Sequence, residues 1–182
     1  VRNGIWNREK NRGVEISGKT IGIIGYGNNG SALVNLLEGF KLNILTYDKY
    51  LKTYKYSSTM QDIFEKADIL SLHIPLTEET HYLIDNTYIN KFKKPIYIIN
   101  TARGKCIKTS DLIKNLKSGK VRGACLDVLE NENTSFEKLE TKTYFNYLTQ
   151  NKNIILSPHI AGWTNESKRK IAEILLKKIK NK

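Results

Sequence analysis

Between residues 20 and 30 an apolar run, Ile21-Gly22-Ile23-Ile24, passes directly into the turn Gly25-Tyr26-Gly27-Asn28-Asn29-Gly30, and a helical pattern follows at once. A strand that turns immediately into a helix leaves unpaired N–H groups at the helix start, beside the positive end of the helix dipole, and so offers a seat for an anion. Gly25 allows the tight turn, Gly27 lets the backbone approach a pyrophosphate, and Gly30 lets the helix lie close on its strand. Glycine loops are common, and this one gains meaning from its surroundings. Ala32, Leu33, Leu36 and Leu37 recur at helical spacing after it, and the next apolar run, over 44–47, ends in Asp48. An acid at that point can accept hydrogen bonds from a ribose. The segment therefore reads as a βαβ unit for a dinucleotide, in which Tyr26, Asn28, Asn29 and Asp48 join the glycines.

The rest of the chain repeats that alternation. Ser58 or Thr59 is placed to cap a short helix reaching Lys66, and Ile69–Leu72 reads as a strand. A short helix follows over 86–92, a strand over Ile96–Asn100, and a helix over 111–118 capped by Ser110 and stopped by Gly119. Val121–Leu126 and Ile154–Leu156 supply two more strands. Short apolar runs separated by helices require parallel strands covered on both faces, so the fold class is α/β, a doubly wound parallel sheet of Rossmann type. One domain spans 1–182, with an N-terminal arm or helix over 1–17 and a C-terminal helix over 165–182 striped by Ile171, Ile174, Leu175 and Ile179. Trp6 in the arm needs cover, from the core or from a neighbouring lobe or subunit. The polar connection 127–153 reads as a functional or mobile loop.

The net charge of +12 raises nucleic-acid binding as a possibility. Lysines far outnumber arginines and are scattered over most expected surfaces, so the charge reads as compositional drift, and no nucleic-acid partner is expected. No stretch approaches the roughly 18 uninterrupted apolar residues of a membrane span, and no apolar signal segment opens the chain, which points to a cytoplasmic protein without a membrane partner. Cys106 and Cys125 stand far apart with no Cys-x-x-Cys, so reduced thiols are expected rather than a disulfide or a metal site. The first residue is Val1 rather than Met, so further parts of the protein are to be kept in view.

Polar residues cluster where the strands end, the edge at which open parallel sheets bind ligands. Asn100-Thr101-Ala102-Arg103-Gly104 follows one strand, Asp127 the next, Glu132 lies in the long loop, and Pro158-His159 follows the last strand. Singly, each has a plain reading, because a loop Arg or Glu is usually solvated and a single His is more often structural. Together they suit the reversible oxidation of a 2-hydroxy acid. A guanidinium can hold a carboxylate bidentately, an imidazole can take the hydroxyl proton as hydride leaves for a nicotinamide, and a carboxylate beside the imidazole orients it.

The ordered set Gly4-Ile5-Trp6-Asn7, Gly18-Lys19-Thr20-Ile21-Gly22, Gly25-Tyr26-Gly27, His73-Ile74-Pro75-Leu76-Thr77, Asn100-Thr101-Ala102-Arg103-Gly104, Leu126-Asp127-Val128-Leu129-Glu130 and Ser157-Pro158-His159-Ile160-Ala161-Gly162 resembles the NAD-binding domain of the D-isomer-specific 2-hydroxyacid dehydrogenases. The resemblance covers nearly the whole chain and implies NAD as cofactor and a small 2-hydroxy or 2-keto acid as substrate. By it, Arg103 binds the substrate carboxylate, His159 is the acid/base and Glu132 its partner. Asp48 holds the adenosine ribose and Asp127 lies near the nicotinamide. His73, Pro75, Thr101, Ala102 and Gly162 line the cofactor groove with Arg103 and His159, and His81 is a surface residue. The nearest likeness is to the members acting on 3-phosphoglycerate, through Trp6-Asn7 and the Gly-Tyr-Gly loop, and a homodimer is expected. The family usually follows the catalytic Glu with Pro, whereas Asn133 stands here before a longer loop, which leaves Glu130 or another acid as an alternative partner for His159. The family's separate substrate lobe is absent from these residues, so the chain is expected to be the NAD-binding domain of a longer, two-lobed protein. Some relatives act instead as NAD(H)-sensing transcriptional corepressors, and the likeness extends to that second class.

Overall fold

The structure, a computed structural model, describes residues 4–132 and 143–180. Strand β1 (Thr20–Ile24) is buried along its whole length, as a strand covered on both faces must be. Strands β2 (Asn43–Tyr47) and β3 (Ile69–Leu72) pair with it in parallel on either side. Strands β4 (Ile96–Asn100), β5 (Val121–Leu126) and β6 (Ile154–Leu156) extend the sheet, giving the order 2-1-3-4-5-6. The order reverses between β1 and β3, which makes the sheet doubly wound, as the alternation of elements requires, and opens a crevice there.

Side chains alternate across the strands, so the adjacent Ile23 and Ile24 of β1 enter different cores. Ile21 and Ile23 pack with Ile44 beneath helix α1 (Asn28–Leu37), through Val34. Ile24 faces the larger core under helices α2 (Met60–Lys66), α3 (Asn86–Lys91), α4 (Thr109–Lys117) and α5 (Thr143–Gln150). Phe92 anchors that core, 1% exposed and edge-to-face with Phe64 at a centroid distance of 5.1 Å.

Local signals set most helix ends. Thr59, rather than Ser58, caps α2, its hydroxyl accepting from the Asp62 N–H at 3.0 Å while the Asp62 carboxylate accepts from the Thr59 N–H. Asp85 caps α3 by accepting from the Tyr88 N–H at 2.7 Å, and α3 ends one residue before Phe92, whose extended backbone turns it into the core. The α4 cap differs from expectation. The helix begins at Thr109, which places Ser110 inside its first turn, and the Thr109 N–H donates instead to Glu130 Oε2 at 2.9 Å. Gly119, at φ +78°, ends that helix as predicted.

Two further expectations are revised or narrowed. The connection 127–153 is not loop throughout, because α5 lies within it and inserts Leu148 into the core, while residues 133–142 lie outside the described residues. The arm forms one short 3-10 turn, Glu9–Asn11, and Trp6 is 82% exposed, so the chain's own core does not cover it; residues 1–3 lie outside the description. Helix α6 (Asn165–Lys180) occupies the expected C-terminal position up to residue 180, with Ile171, Ile174, Leu175 and Ile179 exposed and residues 181–182 not described. Cys106 is buried and Cys125 half-buried, both free thiols. Among the described residues no helix is long and apolar enough to cross a membrane.

Truncating Phe92 to Ala leaves a cavity that α2 and α3 cannot collapse into without shifting. The Phe92→Ala variant is expected to lose about 3–5 kcal/mol of stability, read as a lower urea midpoint at unchanged slope.

Candidate active site

The glycine loop is built by backbone contact. A Cβ on Gly25, whose φ is +94°, would stand 2.3 Å from the His73 carbonyl oxygen, and one on Gly30 would stand 2.0 Å from the carbonyl oxygen of Gly25. Only glycine fits either position. Gly27 differs, because nothing lies within 4 Å of where its Cβ would be. It is the N-cap of α1, no side chain caps that helix, and Asn28 and Asn29 are exposed on its first turn. The open backbone and uncapped N–H groups form a cradle that fits a pyrophosphate.

Asp48 ends β2 beside the loop. Its Oδ2 accepts from the Tyr26 N–H at 2.8 Å, and its Oδ1 from the N–H groups of Tyr50 and Leu51 at 2.9 and 3.1 Å. Burial raises the carboxyl, but these donors outweigh it and hold its pKa below the ordinary carboxylate value. A carboxylate offers about four lone-pair sites, so these bonds leave room for about one ligand hydroxyl. From Asp48 a groove of about 600 Å³ runs between the ends of β1, β2 and β3, past Gly25, Gly27, His73 and Pro75. His73 Nε2 lies 2.9 Å from the Ser71 hydroxyl, and burial pushes the ring below the usual histidine range. His81, by contrast, is exposed and stacks on Tyr82. Met60, Leu83 and Tyr88 form apolar groove wall that the sequence did not single out. Each stands near the start of a helix or turn after a strand, but which face it turns to the groove depends on how α2 and α3 lie on the sheet.

The remaining residues meet at the ends of β4, β5 and β6. Arg103 and Thr101 are exposed after β4, and Ala102 is buried, its N–H donating to Asn100 Oδ1 at 3.0 Å. Gly104 closes this turn against the next loop, because a Cβ there would stand 2.0 Å from the Leu129 carbonyl oxygen. The Leu129 N–H donates to Glu132 Oε1, and Glu132 Oε2 lies 2.7 Å from His159 Nδ1. The pair is mostly buried, with side-chain exposures of 15% for Glu132 and 25% for His159. Glu132 is therefore the acid beside His159. Glu130 turns the other way, accepting from the Tyr82 hydroxyl at 2.6 Å and from the Thr109 N–H. Tyr82 and Glu130 thereby tie the loop to α4, a role that spacing alone did not reveal.

His159 holds φ +54°, a left-handed conformation that costs a residue with a Cβ and needs support from its surroundings. Asp127 provides it. The Asp127 carbonyl accepts the His159 N–H at 2.8 Å, Oδ1 accepts from the Ser157 hydroxyl at 2.5 Å and the Ile160 N–H at 2.9 Å, and Oδ2 accepts from the Ala161 N–H at 2.9 Å. Gly162 follows, exposed in the same turn. Burial raises the Asp127 carboxyl, and the Ser157 hydroxyl and the two N–H groups reverse the shift, leaving its pKa below the ordinary 3.8. Asp127→Asn keeps the shape but sets an amide N–H against a backbone N–H, and is expected to cost about 1–3 kcal/mol. A depressed native pKa stabilises the fold above the unfolded value and loses that stabilisation as pH falls through the native one. Urea unfolding of wild type and variant should thus differ fully above pH 3.8 and converge as the pH drops below it.

The family model "D-isomer specific 2-hydroxyacid dehydrogenase, NAD binding domain" matches residues 1–161. The chain is 37% identical to a glyoxylate reductase of Thermofilum pendens over 186 residues, covering 96% of this chain and 52% of that protein. It is also 37% identical to D-3-phosphoglycerate dehydrogenase 1 of Saccharomyces cerevisiae over 180 residues, covering 94% of this chain and 38% of that protein. Among solved structures, D-lactate dehydrogenase of Lactobacillus jensenii with NAD+ superposes at a TM-score of 0.84 and 30% identity, over 97% of this chain and 56% of that one. The chain thus spans about half the length, or less, of the relatives it matches. By the family model over residues 1–161 and the identity to these relatives, the chain belongs to the D-isomer-specific 2-hydroxyacid dehydrogenase family, as an NAD-binding domain.

Proposed function

We propose that residues 1–182 form the NAD-binding half of a two-lobed dehydrogenase that moves a hydride between a D-2-hydroxy acid and NAD, with 3-phosphoglycerate as substrate. The observation that carries this reading is the Glu132–His159 pair, 2.7 Å apart at the sheet edge that also bears Arg103 and the nucleotide groove. NAD, held by the glycine loop, Asp48 and the His73-to-Pro75 wall, supplies the hydride acceptor. Arg103 binds the substrate carboxylate through its fork of donors. A carboxylate only accepts, so Glu132 keeps the proton on Nδ1, and Nε2 of His159 takes the hydroxyl proton in oxidation and returns it in reduction. Thr101, Ala102 and Gly162 border the cofactor, and Asp127 acts through the turn it folds around His159.

Coverage of 52% and 38% of the two curated relatives supports the division into lobes. The Trp6-Asn7 arm and the Gly25-Tyr26-Gly27 loop support 3-phosphoglycerate, while the names of the relatives make glyoxylate and D-lactate the competing pairs. A homodimer belongs to the same reading, supported by the exposed Trp6 and the apolar stripe of α6, and the reading places it in the cytoplasm.

The protein expressed from its complete reading frame should reduce NAD with D-3-phosphoglycerate faster than with D-lactate or glycolate. His159→Gln is expected to lower kcat by about 10²–10⁴-fold. Undiminished turnover in that variant would remove His159 from the chemistry, whereas a preference for D-lactate would keep the mechanism and reject the substrate.

A further inference from the structure

Lys49 follows Asp48 on the lip of the nucleotide groove, and among the described residues lining that groove it is the one Lys or Arg. A cation there works against the selection that Asp48 makes. A ribose 2′-phosphate carries about −1.5 to −2 charge at neutral pH, which Asp48 repels and a nearby ammonium attracts. In this structure the ammonium is engaged. Lys49 Nζ lies 2.6 Å from Glu79 Oε2, on the facing wall after β3, and the Tyr50 hydroxyl donates to the same oxygen at 3.3 Å. Both side chains of the pair are more than half exposed, at 56% and 57%, so it adds little to stability. Its effect is on the groove. Asp48 and Glu79 together outweigh Lys49, and the mouth stays negative.

We infer that Glu79 is a specificity-determining residue for the cofactor, which holds Lys49 away from a 2′-phosphate and so keeps the groove selective for NAD over NADP. The inference rests on the reading of Asp48 as the ribose carboxylate. Its chemistry is a competition between two anions for one ammonium. With Glu79 present, a 2′-phosphate must displace a carboxylate before Lys49 can serve it, and it must do so beside Asp48. Without Glu79 the same lysine becomes a phosphate ligand. Screening shortens the reach of exposed charges, so the contribution of Glu79 falls as salt rises.

The test titrates NADH and NADPH against this chain, following the fluorescence of the reduced nicotinamide. Wild type is expected to bind NADH in preference. Glu79→Gln should raise the affinity for NADPH relative to NADH by about fivefold or more at low ionic strength, and the gain should shrink with added salt. In a Lys49→Gln background the same substitution should change that ratio by no more than about twofold, because no ammonium is released. Glu78→Gln makes the same charge change one residue away and should give a smaller shift than Glu79→Gln. An unchanged ratio in Glu79→Gln would overturn the inference, as would an equal gain with and without Lys49, which would mean that Glu79 acts by bare charge. Binding of neither dinucleotide by wild type would overturn the assignment of the groove itself, and binding of NADH without selectivity in Asp48→Asn and wild type alike would overturn the reading of Asp48.

Discussion

Two backbone contacts at the end of β1 set the geometry on which the site is laid out. Gly30 lies against the Gly25 carbonyl and Gly25 against the His73 carbonyl, each closer than any Cβ would permit. The ends of β1 and β3 and the start of α1 are thereby drawn into one junction, with the Gly25 N–H donating to the Tyr47 carbonyl and the His73 N–H to that of Ile24. An uncapped helix start then faces the crevice where the strand order reverses, and Asp48 reaches it from β2. A side chain at Gly30 would push α1 off the end of β1, and one at Gly25 would part the ends of β1 and β3.

Acids organise the loops along this edge, although the chain carries 30 Lys and Arg against 18 Asp and Glu. Asp48 binds the glycine loop to the turn after β2, Asp127 folds the turn that carries His159, Glu130 caps α4, and Glu132 joins Leu129 to His159. Each places a carboxylate against backbone N–H groups, and such charged hydrogen bonds are stronger than neutral ones. The arrangement has a functional side. An imidazole whose partner is itself held by the backbone has little freedom to turn, and Glu132 is held in this way through Leu129 and, behind it, Gly104. The strained backbone of His159 is the cost of presenting that ring at the sheet edge, and the Asp127 network sustains it.

The strands, the glycine loop and two helix ends were legible from residue order alone. Apolar runs at β1, β3, β4, β5 and β6 coincide with the observed strands because strand period and burial are local properties. Thr59, at an N-cap, and Gly119, at a helix end, act within a few residues of themselves, so their effect needs no knowledge of the fold. That Arg103, Asp127 and His159 gather at one edge also followed from order, because parallel strands bring their carboxyl ends to one edge whatever their spacing along the chain.

Other features depended on how distant segments meet. Glu130 and Glu132 are two residues apart in the same loop, and nothing in their local sequence says which one faces His159, 27 positions from Glu132, and which one caps α4. Asp127 spends its oxygens on a turn more than 30 residues away, and Lys49 finds Glu79 across a groove formed only when β2 and β3 flank β1. Trp6 offered two coverings that composition could not separate, and the packed sheet excludes the chain's own core. The division is physical. Period, propensity and glycine geometry act over a few residues and are written in their order, whereas the partner of a carboxylate is chosen by which loops the crossovers bring within hydrogen-bond reach.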